Sequence, residues 1–92
     1  MSATVALPDR FDLSSAPEVA NALLKHPAEA SVVIDVSQTS HFGALGLQVV
    51  MAAAIRSNAA GGRLELRDVS DRVLAQMTAM GTSPEQIVET TK

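Results

Sequence analysis

Residues 31–36 read SVVIDV, and residues 40–48, which follow almost directly, read SHFGALGLQ. The first run is dominated by β-branched residues, which suits a strand covered on both faces and therefore central in its sheet. A polar loop spans 37–43. A helix then runs from about Ala44 to Asn58, uncharged until Arg56, and the Gly61-Gly62 pair ends it. A strand, a loop and a helix in this order predict an α/β unit, whose strand-to-helix loops usually hold the chemistry. Here that loop leads into Gly43-Ala44-Leu45-Gly46, which has no acid, base or nucleophile.

The flanking segments extend the pattern. Thr4 to Leu7 predicts a short strand stopped by Pro8, and the PDRFD run a turn. Ser15 and Glu18 have capping-box spacing for a first helix, with Pro17 in its first turn. Val19, Leu23 and Leu24 share its apolar face, Lys25 and His26 fall in its last turn, and Pro27 closes it. Arg63 to Asp68 alternates, with Leu64 and Leu66 inward and Glu65 and Arg67 outward, as in a half-exposed strand. Ser70 caps a third helix with Val69 and Leu74 spaced as a hydrophobic staple, and Gly81 ends it. Val73, Leu74, Met77 and Met80 keep its apolar spacing. Ser83-Pro84-Glu85 opens one last turn in which Ile87 and Val88 pack down. Alternating strands and helices predict an α/β architecture with at least partly parallel pairing.

Bulk properties exclude several classes of function. Ninety-two residues make a single domain, and two Phe are its only aromatics. Net charge is −3, and Lys and Arg do not cluster, so the basic footprint and stacking platforms of a nucleic-acid binder are missing. Without cysteine there is no disulfide, thiol nucleophile or thiolate metal site. The start MSATVALPDR lacks the pattern of a secretory signal. The apolar segment 44–55 falls short of the ~20 residues that cross a bilayer. A cytoplasmic protein with no direct membrane insertion is the expectation.

The candidate site residues are few. His26 and His41 are far apart in sequence without a supporting carboxylate pair, so no metal site is expected; His41 is a loop or partner-contact residue. Asp35, at the end of the central strand, reads as an acceptor for backbone N–H groups of the next loop. Gly43 and Gly46 lack the spacing and lysine of a phosphate-binding loop, and no cofactor is implied. The helix from Ala44 is the informative element. Leu47, Val50, Met51 and Ala54 form its core face, whereas Leu45, Gln48, Val49, Ala52 and Arg56 face the other way. An outer face that is mostly small and apolar reads as a docking surface.

Four motifs in order resemble STAS domains, the family named for sulphate transporters and anti-sigma-factor antagonists. They are Phe11-Asp12-Leu13-Ser14-Ser15-Ala16-Pro17-Glu18, Val33-Ile34-Asp35-Val36-Ser37, Gly61-Gly62-Arg63-Leu64-Glu65-Leu66, and Val73-Leu74 with Met80-Gly81. The resemblance covers about residues 3–88 of one STAS-like domain, 1–92. It implies a mixed β-sheet of about four strands backed by helices, no catalysis, and function by docking to proteins. In partner-switching members a serine at the start of the helix after the central strand is phosphorylated, and the added charge breaks the docked interface. That position falls on Ala44, which has no hydroxyl, and the neighbouring Thr39 and Ser40 are the hydroxyls left to replace it.

Gly43 to Ala53 is most similar to short STAS proteins associated with bacterial chemotaxis. The implied function is a signalling adaptor for a histidine kinase or response regulator, with Ser40, His41, Gly43, Ala44, Leu45, Gln48 and Ala52 at the interface. The alternatives are a subunit binding the ATPase of a lipid-trafficking ABC transporter, a phosphorylation-independent antagonist of an anti-sigma-type kinase, and a homodimer formed through the apolar helix face. A nucleotide-binding role, reported for parts of the family, has no phosphate loop here to support it.

Overall fold

A computed structural model describes residues 2–90, and nine elements alternate along it. They are β1 (Ser2–Ala6), β2 (Arg10–Phe11), α1 (Ala16–Leu24), β3 (Ser31–Asp35), β4 (His41–Phe42), α2 (Ala44–Ala59), β5 (Leu64–Arg67), α3 (Asp71–Ala79) and α4 (Pro84–Val88). Strands β1, β3 and β5 form a sheet in the order β1-β3-β5, and β2 pairs with β4 in a separate ladder. The α/β class is the expected one. The sheet differs in detail from a mixed one of about four strands, because every described pairing is parallel. PDRFD and the 37–43 loop, both read as irregular, each contribute two residues to the β2–β4 ladder. Two-residue strands are too short to leave an alternating pattern.

Strand order explains the layering. Right-handed crossovers that step the same way along a parallel sheet leave their helices on one face. Accordingly Val5, Val32, Ile34 and Leu64 point inward and are buried, while Thr4, Ala6, Glu65 and Arg67 on the opposite face are exposed. The central strand was expected to be covered on both faces, but only one is. Val33, on the open side, is half-buried by its register neighbours Thr4 and Glu65 rather than by a helix. Its β-branched shape suits a central strand even there.

Helix ends follow local chemistry, with one exception. The Ser70 hydroxyl accepts the Val73 N–H at 3.2 Å and Ser83 that of Gln86 at 3.2 Å, as N-caps do. Gly61 (φ 81°) and Gly81 (φ 80°) close α2 and α3 in the left-handed conformation. The bonds Gly62 N–H to Ser57 O (2.8 Å) and Thr82 N–H to Met77 O (2.9 Å) complete Schellman motifs. The exception is Ser15, whose capping box does not form. Its backbone is already helical (φ −107°, ψ −14°), and its hydroxyl instead donates to Arg10 O at 2.7 Å. The same oxygen accepts the Asp12 N–H at 3.2 Å, so Ser15 ties α1 back to β2. The predicted staple is also loose, since Leu74 stays 37% exposed.

The two phenylalanines are the centre of the core. Phe11 and Phe42 are register partners in the β2–β4 ladder, both buried, with ring centroids 5.5 Å apart at 75°. This edge-to-face contact is worth about 0.5–1.5 kcal/mol beyond area burial. Gly46 lies in the first turn of α2 and is buried against Phe11. A Cβ there would stand 2.7 Å from the Phe11 ring and 2.8 Å from Phe11 O. Replacing glycine by alanine within a helix normally gains about 1 kcal/mol. Here a backbone oxygen that cannot swing aside blocks the methyl, so overpacking of about 2–3 kcal/mol, the upper part of its usual range, outweighs that gain. Gly46→Ala is therefore predicted to lower unfolding stability by about 1–2 kcal/mol in urea denaturation. A variant as stable as the parent would contradict the packing described.

Candidate functional site

The site grows out of the β4–α2 junction. Gly43 is the N-cap of α2 in an extended conformation (φ −90°, ψ 173°), and its N–H donates to Phe11 O at 3.0 Å. The Gly43 carbonyl accepts the Leu47 N–H at 2.9 Å, starting the helix. Ser40 and His41 are held from below by Asp9, whose carbonyl accepts their N–H groups at 2.9 and 3.1 Å. Gln76 of α3 holds them from the other side. Its side-chain N–H donates to Ser40 O at 2.9 Å, and its Oε1 accepts the Phe42 N–H at 2.6 Å. One amide thus supplies the donor and acceptor that a neighbouring strand would have supplied. A lone polar residue on a helix does not betray this role in the sequence.

The loop hydroxyls are occupied. Thr39 is 4% exposed and donates to Pro8 O at 2.9 Å, and the Ser40 hydroxyl is hydrogen-bonded to the Asp9 carboxylate. Ala44, which has no hydroxyl, is exposed at the start of α2. Asp35 has the structural role expected of it. Its Oδ1 accepts the Ser37 N–H at 2.9 Å, and that bond, aided by the nearby Arg67 charge, holds its carboxyl below the ordinary 3.8. Among the described residues, no three of His, Asp or Glu come together as metal ligands.

Beyond the junction, α1 and α2 lie side by side. The Arg56 Nη1 donates to His26 O at 3.1 Å just past the end of α1, so both helices run in the same direction. Between them lies an open groove of about 610 Å³. Leu45, Gln48 and Ala52 line it, with Leu13 and Leu24 from the α1 side and Arg56 towards one end. Among the described residues, only Gln48, Arg56 and Ser57 bring polar side chains to its lining. The core face of α2 is as predicted at Val50 and Ala54, which are fully buried, with Leu47 and Met51 on its flanks.

The structure therefore divides the predicted interface residues. Leu45, Gln48 and Ala52 share the groove, whereas Ser40, His41, Gly43 and Ala44 belong to the adjoining junction and do not line it. Two exposed leucines of the groove are not legible as such in the sequence. Leu24, assigned to the core face of α1 with Val19 and Leu23, is 61% exposed, because it lies about 100° around the helix from Leu23. Leu13 precedes α1 in a polar loop and is 72% exposed. Its signal was an isolated leucine between Asp12 and Ser14, which periodicity does not read.

A family model described as "Mlab, STAS domain" matches residues 1–89, and the chain belongs to this STAS family. Membership implies a protein-interaction or anti-sigma-factor-antagonist-like role. No curated protein sequence matches the chain. Among the described residues, no helix is long and apolar enough to cross a membrane.

The Gln76 clamp can be tested separately from partner binding. Gln76→Leu keeps side-chain size and leaves the Phe42 N–H unpaired, a loss of about 1–3 kcal/mol. Denaturation should show that loss, and hydrogen exchange should show faster exchange of the Phe42 amide. Unchanged stability with a protected Phe42 amide would mean that the loop holds itself.

Proposed function

We propose that the chain is a non-enzymatic signalling adaptor that docks a protein of a chemotaxis or two-component system, a histidine kinase or a response regulator, in the α1–α2 groove. The observation that carries this reading is the grouping of Leu13, Leu24 and Leu45 around one open groove, 72%, 61% and 42% exposed. Three partly exposed leucines with Ala52 between the helices form an apolar patch of the kind that partners cover. A groove between two helices suits an amphipathic helix laid into it. The choice of a signalling partner rests on the resemblance of Gly43 to Ala53 to chemotaxis-associated family members.

Docking is not switched by phosphorylation of the junction in this reading. Ala44 offers no hydroxyl, Thr39 is buried, and a phosphate on Ser40 would meet the Asp9 carboxylate. A second reading keeps the surface and changes the partner to the ATPase of a lipid-trafficking ABC transporter. The apolar groove serves either.

The test compares wild type with Ala52→Glu. Ala52 is exposed on α2, so the variant keeps its fold, but a docked partner buries the new carboxylate. That burial costs about 2–5 kcal/mol, a weakening of Kd by at least about thirtyfold. Affinity capture from host lysate identifies the partner, and calorimetry with the purified partner measures the loss. A kinase or receiver supports the first reading and a transporter ATPase the second. Equal affinity for wild type and variant would remove the groove from the interface.

A further inference from the structure

Strand β1 lies at one edge of the sheet, and its backbone shows which groups are unpaired. The Leu7 N–H donates to Asp35 O at 2.9 Å, so Leu7 points its backbone groups at β3. In a parallel ladder each residue sends both groups to one side, and successive residues alternate. Val5 and Ala3 therefore face β3, whereas Thr4 and Ala6 present N–H and C=O to the open edge. Neither has a hydrogen-bond partner there among the described residues, and both are exposed.

Protein edges normally avoid self-pairing through charged side chains, proline, bulges or covering segments. The opposite edge strand, β5, shows two of these devices. It carries Glu65 and Arg67, whose side chains approach to 3.6 Å, and α4 packs against it. Among the described residues, strand β1 shows none of them: residues 2–7 read SATVAL, and the first charged side chain is at Asp9.

We propose that β1 pairs with β1 of a second copy of this chain, antiparallel about a two-fold axis at Thr4, joining the two sheets into one. Opposed Thr4 residues form a hydrogen-bonded pair, exchanging both N–H···O bonds, and Ser2 faces Ala6 on either side in the same way. The occupant is a second copy for two reasons. The edge is self-complementary about this axis. It also brings no like side-chain charges together, because residues 2–7 carry none in a chain of net charge −3. The interface is separate from the α1–α2 groove and leaves it open in both copies.

Sedimentation equilibrium of the 92-residue chain over a wide concentration range tests the proposal. Wild type should rise towards twice the single-chain mass, and Thr4→Pro should stay at one. Proline removes an edge donor that the β1–β3 ladder does not use, so circular dichroism of the variant should be unchanged. If Thr4→Pro does not fold, amide exchange of wild type replaces it: the Thr4 and Ala6 amides should slow with rising protein concentration. A wild type that remains a monomer, a dimer that survives Thr4→Pro, or a dimer lost instead in Ala52→Glu overturns the proposal.

Discussion

Everything at the functional end of the molecule depends on Phe11. Its ring packs edge-to-face on Phe42, its backbone oxygen accepts the Gly43 N–H, and the first turn of α2 comes so close that only glycine fits at 46. These contacts fix where α2 begins and how it is rotated. Rotation then decides that Val50 and Ala54 enter the core while Leu45, Gln48 and Ala52 face α1 across the groove. With two aromatic residues in the chain, the protein spends both on this junction. Val, Leu, Ile, Ala and Met fill the remaining core.

Much of this was legible in the sequence, and the exceptions share a cause. SVVIDV, the Gly61-Gly62 stop, the Ser70 cap and the alternating LELR run each report their element through local chemistry, and each element stands where it was expected. The β2–β4 ladder, the Gln76 clamp and the role of Gly46 rest on contacts between segments some thirty residues apart, for which the sequence has no period or spacing. Ser15 shows how a local rule yields to such a contact. Its capping-box spacing is present, but its hydroxyl is already used to bind α1 to β2.

The candidate site was half visible for the same reason. The unusual outer face of α2 could be read from spacing alone, so Leu45, Gln48 and Ala52 were found. The other wall of the groove, with Leu13 and Leu24, appears only when α1 lies beside α2. At the junction, Ala44 offers no hydroxyl, and the nearby hydroxyls of Thr39 and Ser40 are engaged by Pro8 and Asp9. A surface built this way offers apolar contact. That fits a STAS domain that works by being docked.

In the proposed function a partner sits in the α1–α2 groove. Methyl NMR of the labelled protein, titrated with the captured partner, tests this. The methyl signals of Leu13, Leu24, Leu45 and Ala52 should shift or broaden together, while those of Val33 and Ala6 on the open sheet face stay in place. Perturbation confined to the sheet face, with the groove methyls unmoved, would contradict it.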